Sequence, residues 1–193
     1  LFVALERQSP NLLVTVSIGL TVTFLPAILE RDLEIPMDAG LTLWITTAAF
    51  LHTIGVAGIP GTRAPLYNAI PFYDHITHAL SASVVAGVGY ATVRAFDEHS
   101  PGMHLPERFI FVFILVFVVA FGVVWELIEF GVDIVGTATG FGATGFTQHG
   151  LEDTLLDLVF NAIGGVVVAI WGTVYLTGVS EALRERLTER QSA

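Results

Sequence analysis

The stretch "RFIFVFILVFVVAFGVVWELIEF" (108–130) is a long apolar run that ends in acidic residues. No charged residue stands between Arg108 and Glu126. A helix that crosses a bilayer needs about 20 predominantly apolar residues. The stretch therefore predicts a membrane-spanning helix with carboxylates near its C-terminal end.

Four other segments have a similar length and apolar character. Together with the first they predict spans at about 11–29, 39–58, 75–95, 108–133 and 153–177. Pro26 is expected to kink the first span, and the tail 178–193 is expected to form a short solvated helix. The chain is 53% hydrophobic and 13% charged, whereas a soluble domain carries about 25% charged residues. We predict an all-α, polytopic bundle of about five transmembrane helices, one domain over 1–193, in contact with membrane lipids.

The composition excludes several classes of function. The chain has no cysteine, so disulfides, thiolate metal sites and cysteine nucleophiles are absent. Its eight basic residues are all arginine and its net charge is −10, which argues against nucleic-acid binding. Acid-rich, lysine-free composition is typical of a high-salt organism or a GC-rich genome. The chain begins with Leu1 rather than methionine, which is consistent with a longer natural N-terminus, and "LFVAL" is too short for a secretory signal.

The distribution of arginine predicts the orientation in the cell membrane. In a five-span protein one side receives six arginines: Arg31, Arg94, Arg108, Arg184, Arg186 and Arg190. The other side receives Arg7 and Arg63. By the positive-inside rule the C-terminus is expected in the cytoplasm.

Ionisable and amide side chains concentrate at one end of the predicted bundle. Because neighbouring spans run in opposite directions, the ends of spans two and four meet the beginnings of spans three and five. We call this set the polar layer: His52, Asp74, His75, His78, Glu126, Glu129, Asp133, Asp153, Asp157 and Asn161. Charged groups inside a membrane are costly and usually functional, and the arginine count predicts an extracytoplasmic position for this layer.

The spacing of these residues assigns them to helix faces. Asp74 and His78 are four residues apart and share a face, so His75 is expected to point elsewhere. The pairs Glu126 with Glu129, and Asp153 with Asp157, also have helical spacing. Three helices are thus expected to project polar groups inwards.

A divalent metal site is the leading interpretation, with zinc, manganese or iron as the cofactor. The predicted metal ligands are Asp74, His78, Glu126, Glu129 and Asp157. Glu126, Glu129 and Asp153 are the predicted catalytic acid–base groups. The predicted pocket lining comprises His52, Tyr73, Trp125, Asp133, Gln148, Thr154 and Asn161, and His149 is a further candidate. The usual Glu-x-x-His ligand pair of helical di-metal proteins is absent.

The polar layer is consistent with two other interpretations. The polar layer could serve metal-free acid–base chemistry or proton handling, or it could be a hydrogen-bonded network that fixes helix register. The corresponding functions are an enzyme or binder for an envelope lipid or amphipathic substrate, a non-catalytic scaffold among other membrane subunits, and a small transporter. Against the transporter, the spans show no internal repeat.

Four motifs resemble those of the uncharacterised YjdF-type inner-membrane family. They are "FLHTIGVAG" (50–58), "YDHITHAL" (73–80), "WELIEF" (125–130) and "GFTQHGLEDTLLDLVFNAIGG" (145–165). The resemblance implies a membrane fold and the site positions His52, Tyr73, Asp74, His78, Glu126, Glu129, Thr147, Gln148, Asp153, Thr154 and Asp157. A skeleton of Asp74, His78, Glu126, Asp157, Asn161 and Gly164 also resembles VanZ-like proteins, which are linked to glycopeptide tolerance at the cell envelope. The chain departs from the YjdF-type pattern at Phe130 and Gly131, where that family has a tryptophan, and at "HGLE" (149–152).

Overall fold

The computed structural model describes residues 1–6, 10–58, 61, 64–100, 102–139 and 150–192, with the backbone alone described at 10, 11, 173 and 190–192. These residues form nine helices and no strand, which confirms the predicted all-α fold. In chain order the helices are α1 (Phe2–Glu6), α2 (Pro10–Thr23), α3 (Leu25–Leu33), α4 (Ala39–Ala57), α5 (Leu66–Ala69), α6 (Tyr73–His99), α7 (Glu107–Thr139), α8 (Leu151–Tyr175) and α9 (Thr177–Ser192).

Four of these helices, α4, α6, α7 and α8, are long and apolar enough to cross a membrane. The pair α2 and α3 passes the same test together, with a bend of 41° between its halves. The bend falls at Phe24, and Pro26 follows in the first turn of α3. Since proline lacks an N–H and crowds the preceding turn, this position is the one where a helix bends. The structure confirms the predicted kink and agrees with about five spans.

Three helices extend well beyond the predicted ends of their spans, and the first is α3, which continues to Leu33 rather than residue 29. The helix α6 continues to His99 rather than ending near residue 95, and α7 continues to Thr139 rather than residue 133. A hydropathy pattern identifies only the part of a helix that lies in the hydrocarbon. Ion pairs between residues three or four apart can stabilise further turns of the same helix in water. In α6, Arg94 makes such pairs with Asp97 at 3.2 Å and with Glu98 at 3.1 Å.

The C-terminal tail differs from the prediction of a fully solvated helix. It forms α9, one side of which packs against α6 and buries Ser180. Arg186 of α9 also pairs with Glu34, just after α3, at 2.9 Å. Charged residues of α9 form the side that faces solvent, as the sequence indicates, and its opposite side packs against α6.

The helix α7 shows which surface faces lipid. Its interior face repeats every four residues and comprises Ile110, Ile114, Val118, Gly122 and Glu126. Its exposed face is also apolar, and Val116 and Leu127 are each 63% exposed. An exposed apolar face around a buried polar end is the arrangement that a bilayer stabilises.

The helix α6 lies at the centre of the bundle and contacts α4, α7, α8 and α9. Its contact with α8 is close because Gly164 stands against the α6 backbone. A Cβ atom at Gly164 would lie 2.2 Å from the carbonyl oxygen of Ala79 and 3.0 Å from the amide nitrogen of Ser83. Small residues at such crossings allow helices to approach closely in membranes. This contact fixes the distance between the two helices that carry most of the polar layer.

Candidate functional site

The polar layer forms where four helix segments meet, as the alternation of spans predicts. His52 lies in the last turns of α4, and Asp74, His75 and His78 open α6. Glu126 and Glu129 lie in the second half of α7, and Asp153 and Asp157 open α8. The side chains of His78, Glu126, Glu129, Asp157 and Asn161 are buried.

Asp157 is the centre of the polar layer and is only 2% exposed. Its Oδ1 atom lies 2.8 Å from Nδ1 of His75 and 4.0 Å from Nε2 of His78. The same His78 nitrogen is 3.5 Å from Oδ1 of Asp74, which confirms that Asp74 and His78 share a helix face. One carboxylate of α8 therefore stands between two imidazoles of α6.

The expectation that His75 points away from this cluster is wrong. His75 hydrogen-bonds Asp157, and its ring stacks on Phe160 with 5.0 Å between centroids. Asp74 and His75 are adjacent on α6, so their side chains point about 100° apart around the helix axis. The helix α8 nevertheless packs between these two directions, and its Asp157 lies near both His75 and His78. Helical spacing on one helix does not reveal this second contact.

Among the residues that the structure describes, two groups of three side chains have potential ligand atoms within 4.8 Å of one another. The first comprises Asp74, His78 and Asp157, and the second comprises His75, Asp153 and Asp157. Carboxylate oxygen and neutral imidazole nitrogen are ligands for zinc, manganese and iron. The two groups share Asp157.

Glu126 and Glu129, predicted as ligands, lie beside these two groups but belong to neither. Oε2 of Glu126 accepts a hydrogen bond of 3.0 Å from the Thr154 hydroxyl. Its Oε1 atom is buried and has no hydrogen-bond partner within the described part of the chain. Oε1 of Glu129 accepts a 2.9 Å hydrogen bond from the indole N–H of Trp125. The catalytic roles of Glu126, Glu129 and Asp153 stay predictions.

An aromatic cluster covers the side of the polar layer next to α4. The Tyr67 hydroxyl lies 2.7 Å from Nδ1 of His52, and the His52 ring packs edge-on against Trp125. Burial raises the pKa of the Tyr67 hydroxyl, so this group keeps its proton and remains a hydrogen-bond donor. Tyr73 donates to the carbonyl oxygen of Leu51 at 2.8 Å. Sequence reasoning missed Tyr67, which lies in the short helix α5 within a proline-marked connection.

The remaining predicted pocket residues are placed as follows. Asn161 is buried one turn beyond Asp157 and lies beside His78. Asn161 also packs against Gly122 of α7, where a Cβ atom would lie 2.6 Å from its amide nitrogen. Asp133 is half-buried one turn beyond Glu129. Thr147, Gln148 and His149 lie outside the described residues.

Comparison with known proteins gives a family and one relative. A family model described as "Predicted membrane protein (DUF2238)" matches residues 1–178. An "Uncharacterized protein" of Thermotoga maritima is 29% identical over 150 residues, which cover 76% of this chain and 68% of that protein. No solved structure matches the chain.

Proposed function

We propose that this chain, which belongs to the DUF2238 family of predicted membrane proteins, binds a divalent metal cation through Asp74, His78 and Asp157. The cation engages the headgroup of an envelope lipid or another amphipathic substrate at the membrane surface. The observation that carries the proposal is the position of Asp157, a buried carboxylate between two imidazoles.

The geometry of the three ligands supports a cation of this kind. A zinc ion bound at about 2.0–2.1 Å in tetrahedral geometry holds its ligand atoms about 3.4 Å apart. Asp74 and His78 are already 3.5 Å apart, and His78 and Asp157 are 4.0 Å apart. All three ligand atoms lie within 4.8 Å of one another, so their separations are close to those around a bound zinc ion.

The energetics of burial support the same proposal. A buried carboxylate without compensation loses several kcal/mol of hydration, and neighbouring carboxylates add repulsion. The ion pairs of the described arginines lie elsewhere: Arg31 with Asp32, Arg94 with Asp97 and Glu98, and Arg186 with Glu34. A bound cation would add positive charge to a layer in which His75 and His78 are the partners of Asp157.

The proposal includes an orientation in the membrane, which is based on the unequal number of arginines on its two sides. The C-terminus lies in the cytoplasm and the polar layer lies near the outer leaflet. The YjdF-type resemblance includes Asp74, His78 and Asp157, and the VanZ-like resemblance, which includes the same three positions, supports a role at the cell envelope.

Metal analysis of the purified protein tests the proposal. We expect the detergent-solubilised chain, reloaded with Mn²⁺ or Zn²⁺ and desalted, to retain metal, and Asp157→Asn to lose most of it. Asp32→Asn is the matched control, since it makes the same change at an exposed carboxylate outside the polar layer. A folded wild-type protein that retains no metal, or an Asp157→Asn variant that retains as much as the wild type, contradicts the proposal.

A structural network is the second candidate, favoured by two hydrogen bonds. His75 bonds Asp157, and Thr154 bonds Glu126, so α6 is linked to α8 and α8 to α7 without any metal. Under this alternative the wild type binds no metal, and Asp157→Asn unfolds at a lower temperature than Asp32→Asn. The two measurements together separate a cation site from a scaffold.

A further inference from the structure

We infer that the polar layer holds a second divalent cation, bound by His75, Asp153 and Asp157, beside the first. This inference rests on the proposed function, because the two cations share Asp157 as a bridging carboxylate. The second cation is a transition metal such as Mn²⁺, Fe²⁺ or Zn²⁺, since imidazole nitrogen is among its ligands.

The two ligand groups use the same pair of helices in the same way. His75 and His78 are three residues apart on α6, and Asp153 and Asp157 are four residues apart on α8. Asp157 is the only member of both groups, and its carboxylate faces both imidazoles. Each imidazole can therefore bind one cation while Asp157 lies between them.

Charge compensation also favours two cations over one. The polar layer contains five carboxylates within the two ligand groups and beside them: Asp74, Glu126, Glu129, Asp153 and Asp157. If all five were ionised, one divalent cation would offset two of these negative charges, and two cations would offset four. In a low-dielectric site an ionised carboxylate is costly, so two cations offset more of this cost than one.

Glu126 supplies an independent observation beside this second group. It is 5% exposed, and its Oε1 atom has no hydrogen-bond partner among the described residues. Its other oxygen is held by Thr154, the neighbour of Asp153. A bound ion or water is one explanation for a buried carboxylate oxygen without a donor, and the second cation would be such an ion.

Metal stoichiometry and electron paramagnetic resonance of Mn²⁺ test the inference on the full chain in detergent. After chelation and reloading we expect about two Mn²⁺ per chain, with the exchange-coupled spectrum of two ions about 3.5–4 Å apart. His75→Ala should bind about one Mn²⁺ and give an uncoupled six-line spectrum, and His78→Ala should do the same. His75→Gln keeps an amide that can hydrogen-bond Asp157, so it tests metal loss without loss of that hydrogen bond.

His104→Ala is the matched control, because His104 is exposed in the connection between α6 and α7. It should keep two coupled ions. One Mn²⁺ per wild-type chain, unchanged by His75→Ala and His75→Gln, overturns the second site and leaves the proposed function standing. Two uncoupled ions overturn the shared carboxylate, and a folded chain without metal overturns both proposals.

Discussion

The contact of Gly164 with the backbone of α6 leads to a quantitative prediction for Gly164→Ala. The added methyl group would lie 2.2 Å from the carbonyl oxygen of Ala79. A carbon and an oxygen in contact need about 3.3 Å, so the two helices must separate by roughly 1 Å. Both obstructing groups belong to the backbone, so no side-chain rotation relieves the clash. We expect a loss of about 1–3 kcal/mol in the free energy of unfolding.

The same displacement should weaken metal binding, because Ala79 follows His78 directly in α6. Moving α6 away from α8 separates His78 from Asp157, which are 4.0 Å apart in the native arrangement. We expect a lower Mn²⁺ affinity in Gly164→Ala even under conditions where the variant remains folded. Metal titration of the detergent-solubilised protein, alongside thermal unfolding, measures both effects.

The neighbouring glycine provides the control for this prediction. A Cβ atom at Gly165 would meet Leu115 and Val118 at 3.5–3.6 Å, which is ordinary van der Waals contact. Gly165→Ala makes the same chemical change one position along the helix, and we expect it to be at least as stable as wild type, because alanine is favoured over glycine in a helix by about 0.5–1 kcal/mol. Equal stability and equal metal affinity of the two variants would refute the reasoning.

Two further predictions concern the aromatic cluster and the dependence of metal binding on pH. Tyr67→Phe removes the hydroxyl that contacts His52, and we expect it to destabilise the protein by about 1–3 kcal/mol in thermal unfolding. Tyr175→Phe is the control, since Tyr175 is 70% exposed, and it should have no measurable effect. Equal behaviour of both variants would count against a structural role for the Tyr67 hydroxyl. Metal occupancy should fall as the pH is lowered from about 7.5 to about 5.5, because imidazole and carboxylate ligands must be deprotonated to bind a cation, and constant occupancy down to about pH 5 would argue against histidine ligands.

The positions of the spans and of the polar layer could be predicted from the sequence for clear physical reasons. Long apolar runs such as 109–125 have few alternatives to a membrane helix, and the alternation of helix direction brings their polar ends together. The proximity of Asp74 and His78 could also be predicted, because residues four apart on one helix share a face.

The contacts between helices could not be predicted in the same way. His75 hydrogen-bonds Asp157 because α8 lies close to α6 at Gly164 and turns Asp157 towards His75. Neither the distance between two helices nor the orientation of one about its axis follows from the periodicity of a single helix. Tyr67 reaches His52 because the connection after α4 folds back, which depends on tertiary packing. Glu126 and Glu129 share a face as predicted, but the rotation of α7 leaves them outside the two ligand groups.

The central position of α6 has a consequence for how the protein enters the membrane. About half of the apolar part of α6 is buried against other helices, compared with 28% for α7, and α6 is the less apolar of the two helices. Small and polar residues suit contact with other helices but gain little from lipid, so α6 alone partitions weakly from the translocon. We therefore expect α6 and α7, which are joined by a short connection, to insert together as a hairpin, with the more apolar α7 favouring insertion. The helix at the centre of the bundle is thus expected to depend on a neighbour for its insertion.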